Sequence, residues 1–140
     1  MKKFLLKTRL AVFVLLGFFA FGFGPTHVSA QLINPTGAFT DGDVGKLVAP
    51  AQAIIDLNQE IGNLDGQLLG APSEALKYKR KFYYCISESL EQGVPVAQAI
   101  DANFIRFVAG YTDKPVEFPN TLGTAVWNGY YADVFQMLMN

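Results

Sequence analysis

Hydrophobic positions along the chain follow two regimes, and the first thirty residues belong to one alone. Lys2, Lys3, Lys7 and Arg9 lie around or before an uncharged apolar run from Leu10 to Phe23, which Gly24-Pro25 breaks ahead of Val28-Ser29-Ala30. A basic start, a short apolar stretch and small residues before the scissile bond predict a secretory signal peptide over residues 1–30, cleaved after Ala30. The apolar run is shorter than the roughly 20 residues a helix needs to span a bilayer, so an uncleaved anchor is the weaker reading. Gln31 rather than cysteine follows Ala30, which excludes lipoprotein processing.

From Val44 onward the apolar positions become periodic. Leu47, Val48, Ala51, Ile54, Ile55, Leu57, Ile61, Leu64 and Leu68 recur mostly at threes and fours, the spacing of an amphipathic helix. Pro50 fits near its start, where the missing N–H costs nothing. Gly62 and Gly66 each cost about 1 kcal/mol relative to Ala in mid-helix and predict a bend. Gly70-Ala71-Pro72-Ser73 closes this helix, and Ser73 is placed to cap a second. That helix sets Leu76, Phe82, Tyr83, Ile86 and Leu90 on one sector and Lys77, Lys81 and Glu88 on another.

Gln92-Gly93 ends the second helix, and Pro95 opens a third with the stripe Val96, Ala97, Ile100, Phe104, Phe107 and Val108, terminated at Gly110. Pro115 and Pro119 mark Tyr111 to Pro119 as a loop. Capped by Asn120 or Thr121, a fourth helix carries Leu122, Val126, Tyr130, Val134 and Leu138 at unbroken i, i+4 spacing, flanked by Ala125, Trp127, Tyr131, Phe135 and Met137. Between the leader and Val44, two clusters of turn residues, Asn34-Pro35-Thr36-Gly37 and Thr40-Asp41-Gly42-Asp43, predict an irregular arm over 31–43. Its order depends on Leu32, Ile33 and Phe39 finding a groove. The expected fold is all-α: a small bundle of about four helices over 44–140, preceded by that arm. Leu76, Ile86, Ile100, Phe104, Val126, Tyr130 and Val134 are the expected core.

Charge and cysteine content narrow the function. Without residues 1–30 the chain keeps seven basic against twelve acidic residues, a net charge of −5, which disfavours nucleic acid as a partner. Cys85 is the only cysteine, so no intrachain disulfide, four-cysteine zinc site or Cys-x-x-Cys redox motif can form. Its neighbours Phe82, Tyr83, Tyr84 and Ile86 favour a buried thiol. The only histidine, His27, falls in the leader. The mature chain therefore lacks material for Ser-His or Cys-His dyads and for histidine zinc ligation. No metal or cofactor is implied, because Asp101, Asp113 and Asp133 show no metal-selecting spacing and Asp41-Gly42-Asp43 is too short for an EF-hand loop.

A carboxylate-dependent hydrolase or lyase acting on an envelope polymer survives as the alternative, with Glu88 as its acid. Glu88-Ser89 resembles the Glu-Ser pair of peptidoglycan lytic transglycosylases as a dipeptide only, without the Gly-rich, glutamine-bearing segment of that family. The favoured expectation is a secreted or periplasmic, non-catalytic helical protein that binds another protein or itself. Two surfaces are candidates. A fourth helix apolar over more than half its circumference should leave part of Trp127, Tyr131 or Phe135 for a partner. Lys77, Lys79, Arg80 and Lys81, within five positions, could dock an acidic partner or, less favourably, anionic headgroups at a membrane periphery, against a solvated helix face as the ordinary alternative.

Overall fold

The computed structural model describes residues 32–111 and 122–139, with the side chain of Tyr111 left out. The expected leader, its expected cleavage site and the loop expected after Tyr111 lie outside the described residues. What is described is all-helical, as the periodicity predicts: α1 (Pro50–Gly70), α2 (Glu74–Glu91), α3 (Val96–Tyr111) and α4 (Thr124–Met137), preceded by an arm and a short 3-10 helix, Asp41–Lys46. Successive helices pack on one another, and α4 also closes against α2 through Tyr130, whose hydroxyl donates to the Ala75 carbonyl at 2.9 Å. None of the described helices is long and apolar enough to cross a membrane.

Local signals set most boundaries. Pro50 is the first residue of α1, where it costs no hydrogen bond. The Ser73 hydroxyl accepts from the Leu76 N–H at 3.2 Å and caps α2. Gly93 takes φ +94 just past the end of α2, the left-handed conformation that terminates a helix with least cost in glycine. Three boundaries differ from the sequence reading. The 3-10 turn over Asp41–Lys46 and the extended Leu47 precede α1, so residues 44–49 are not α-helical. α3 runs one residue past Gly110, and α4 starts at Thr124 behind Gly123, without the side-chain cap expected at Asn120 or Thr121. α1 is continuous through Gly62 and Gly66, whose absent side chains would meet nothing within 4 Å.

The core lies where the four inner faces converge. α1 contributes Ala53, Leu57, Ile61 and Leu64; α2 contributes Phe82, Tyr83, Ile86 and Leu90; α3 contributes Val96, Ala99, Ile100, Phe104 and Phe107. α4 fills the centre with Trp127, Tyr130, Tyr131, Val134 and Phe135. Ile86, Ile100, Phe104, Tyr130 and Val134 are buried as expected, and Leu76 is packed against the core while partly exposed. Val126 is corrected: it is 39% exposed, because α4 is turned to bury Trp127 and Tyr131 instead. Ile55 is also turned outward.

The arm enters a groove through Phe39, with Leu32 partly buried against the core and Ile33 left exposed. Phe39 is buried and stacks on Phe135 with ring centroids 4.3 Å apart. Asn34 takes φ +47, a left-handed conformation asparagine tolerates better than most residues. Its side chain then clamps the turn, Oδ1 accepting from the Phe39 N–H at 3.1 Å while Nδ2 donates to the Phe39 carbonyl. Further on, Val48 N–H donates to the Leu138 carbonyl at 2.8 Å, and Leu47 forms an isolated bridge with Met139. These contacts tie the approach to α1 to the end of α4.

Candidate interaction surfaces

The aromatic face of α4 does not reach the surface. Trp127, Tyr131 and Phe135 each have no exposed surface, which corrects the expectation that they remain available to a partner. Two things enclose them. Around Trp127, Phe107 stacks at 5.6 Å while Phe82 and Tyr130 meet it edge-on at 5.8 and 5.6 Å. Tyr131 and Phe135 are covered from outside by the arm, which the four-helix estimate left out. Trp127 Nε1 has no hydrogen-bond partner among the described residues, so the indole is held by packing alone.

The basic cluster is mostly spent within the chain. Lys79 Nζ donates to Asp133 Oδ2 at 3.1 Å and lies over the Tyr83 and Tyr130 rings at 5.7 and 5.3 Å, which ties α2 to α4. Arg80 makes a forked contact with both carboxylate oxygens of Asp65, Nη2 to Oδ2 at 3.3 Å, which ties α2 to α1. Lys77 pairs with Glu74 one turn back at 3.9 Å. Lys81 is exposed, with no ion pair to a described residue. The four basic residues thus do not form one free positive surface.

Carboxylates show a similar distribution. Glu88 is exposed on α2, as its sector predicts. Asp101 is partly buried on α3, where Oδ1 accepts from the Tyr131 hydroxyl at 2.7 Å and Oδ2 from the Ile33 N–H at 3.1 Å. Burial pushes its carboxyl above the ordinary aspartate value, against the lowering effect of those two hydrogen bonds. Burial, followed by Asp101 itself, raises the Tyr131 phenol well above its usual value. The Asn34 N–H adds a third arm contact, to the Tyr131 oxygen at 3.4 Å. Asp101 is therefore held by a phenol and a main-chain amide, an arrangement that positions the arm. Among the described residues no group of three or more Asp, Glu, Cys or His could hold a metal ion.

Cys85 is half-buried, with Arg106 Nη2 at 3.9 Å from its sulfur. One turn before Arg106, the buried Asn103 links α3 to α2, its side-chain nitrogen donating to Ser89 Oγ at 3.0 Å and to the Ala99 carbonyl at 2.8 Å. Sequence reading missed both Asn103 and the Asp101–Tyr131 pair. Asp101 directly follows the core residue Ile100 and is the one acidic residue of α3, and that placement was the available signal.

The described residues leave large apolar groups exposed at several places, among them Tyr84 on α2, Ile105 on α3 and a pair on the outer face of α1. Leu69 is 88% and Ile55 54% exposed, and they lie on one line of the helix because seven residues are two turns less about 20°. Gly62 sits midway between them, and Gln52, Gln59 and Gly66 complete an exposed stripe without charge. Comparison of the chain with protein-family models, with curated proteins and with solved structures finds no match.

Proposed function

We propose that the chain is exported and that its helical domain is a non-catalytic binding module whose partner is a second copy, docked through the outer face of α1. The pairing of Ile55 and Leu69 carries this reading. Burying such residues is worth about 1.5–3 kcal/mol each, and this fold leaves both in water. They stand seven positions either side of Gly62, so the stripe is self-complementary under a two-fold axis. In an antiparallel pair each Ile55 meets the partner's Leu69, and glycine at the crossing allows close approach. Asp56 and Asp65 then fall at the level of the partner's Leu68 and Gln59, and Glu60 at the level of Leu64, whose side chain points into its own core, so no acidic pair is brought into register. Export is supported by the basic start, the apolar run and Val28-Ser29-Ala30.

Sedimentation of the mature protein across a concentration series, beside Leu69→Glu, tests the docking. Self-association that the exposed substitution abolishes while helical content stays unchanged supports it. A monomer at every concentration, or a dimer indifferent to Leu69→Glu, removes the α1 interface; retention of a different protein by the same face would replace the second copy as partner.

A further inference from the structure

Two polar contacts hold α1 and α2 side by side and fix their register. The Ser87 hydroxyl donates to Asn58 Oδ1 at 3.5 Å, and Arg80 Nη2 donates to Asp65 Oδ2 at 3.3 Å. These contacts stand seven residues apart on each helix, so α1 and α2 run antiparallel, and Gly62 and Tyr84 lie about midway between them. Both border the seam from outside. Gly62 is exposed with nothing within 4 Å of the Cβ it lacks, and Tyr84 is 48% exposed.

The exposed charges of α2 are sorted about Tyr84. Lys77 and Lys81 precede it, and Glu88 and Glu91 follow it. At 3.6 residues per turn all five share a sector about 80° wide that begins about 20° beyond Arg80, the residue turned toward α1, so the sector flanks the α1 stripe. Lys77 and Glu91 stand seven positions either side of Tyr84, just as Ile55 and Leu69 stand either side of Gly62. Within the chain these charges are little used. Lys81, Glu88 and Glu91 have no ion pair to a described residue, and Lys77 reaches Glu74 at 3.9 Å with both side chains about half exposed.

We propose that α2 supplies the second half of the contact between copies, Tyr84 meeting its counterpart on the two-fold axis while the basic first half of α2 pairs with the acidic second half of the partner's α2; this rests on the α1 docking proposed above. The two-fold that brings Ile55 to the partner's Leu69 also brings Lys77 to the partner's Glu91. Lys81 then falls within one residue, about 1.5 Å along the helix, of the partner's Glu88. A parallel arrangement would set lysine on lysine and glutamate on glutamate, so the charges select the antiparallel copy. Width argues the same way: a stable interface takes about 20–30 residues a side, more than one helix stripe offers and closer to what two adjacent helices present.

The test is a charge swap at these four exposed positions. One variant carries Lys77→Glu and Lys81→Glu, the other Glu88→Lys and Glu91→Lys. Neither opposes the helix dipole, and both should keep wild-type helical content by circular dichroism. In sedimentation each variant alone should associate about tenfold or more weakly than wild type, and an equal mixture should recover to within about threefold. Tyr84→Ala should weaken association about three- to tenfold. Should a reversed pair unfold, Lys77→Gln with Lys81→Gln replaces it: wild-type association should weaken between about 0.05 and about 0.5 M salt, and that of the neutral variant should not.

Reversed variants that associate like wild type, or a mixture that recovers nothing, overturn the α2 pairing. Leu69→Glu separates the two readings. Association that Leu69→Glu abolishes but the charge swap leaves untouched sinks the α2 pairing alone, whereas a wild-type monomer at every concentration removes the α1 docking and the α2 pairing with it.

Discussion

Replacing Phe39 by alanine removes the side chain through which the arm enters the core. Phe39 is only 7% exposed and stacks on Phe135, which in turn stacks on Tyr131 at 5.9 Å. Its burial is worth about 1.5–3 kcal/mol and the ring stack about 0.5–1.5 kcal/mol more. A rigid core site would add a cavity cost and reach about 3–5 kcal/mol. The arm is attached at few points and can lift away, so the cost should fall near 3 kcal/mol, the low end of that range. For a domain of this size that lowers the melting temperature by about 10–15 °C. Urea unfolding followed by Trp127, the only tryptophan, measures the loss, and exchange of the Ile33 and Asn34 amides reports whether the arm has detached. A loss under about 1 kcal/mol would refute the claim that the arm completes the core over Tyr131 and Phe135.

Three further outcomes are expected. Ile100→Ala, at a fully buried position on α3, should cost about 2–5 kcal/mol in urea unfolding; a change within error would place it outside the core. Asn103→Ala leaves the Ser89 hydroxyl without its partner and opens a small void, so it should cost about 1–3 kcal/mol, and full recovery in Asn103→Leu would show that shape alone matters there. Asp101 has a raised folded-state pKa, so its contribution to stability is complete below the unfolded value and is lost as pH rises through the folded one. Unfolding from about pH 3 to pH 7 should therefore show wild type losing stability relative to Asp101→Asn as pH rises; the opposite slope would mean that the Ile33 and Tyr131 hydrogen bonds outweigh burial.

Helix existence was legible in the sequence because each helix carries a period, and α1 and α2 also carry boundary residues: Pro50, Ser73 and Gly93 each occupy the place their chemistry predicts, whereas α3 runs past Gly110 and α4 starts behind Gly123. The rotation of a helix about its axis was less legible. In α4 two apolar series run side by side, Leu122-Val126-Tyr130-Val134-Leu138 and Trp127-Tyr131-Phe135, and spacing alone cannot say which points inward. Both are largely buried, and Val126 is left out at the edge. In α1 the apolar residues 54, 55 and 57 occupy different sectors, and the small Ala53, fully buried, gave no signal that it belonged to the inner face.

The arm explains why the α4 aromatics do not reach the surface. Counting helices alone leaves α4 short of neighbours and its aromatics looking for a partner. Phe39 and the Asp101–Tyr131 contacts supply the missing cover from thirteen residues that carry no periodicity at all. With α4 satisfied within the chain, large apolar groups remain exposed elsewhere: Ile55 and Leu69 on α1 face solvent although the hydrophobic run around them reads as core, as do Tyr84 and Ile105 on α2 and α3. The arm covers Tyr131 and Phe135, so loosening it should uncover aromatic surface of α4, whereas a change on the outer face of α1 should not. A dye that fluoresces on exposed apolar surface should then bind the Phe39→Ala protein more strongly than wild type, whereas Leu69→Glu should not increase binding, because it removes an exposed apolar group without unsealing the core.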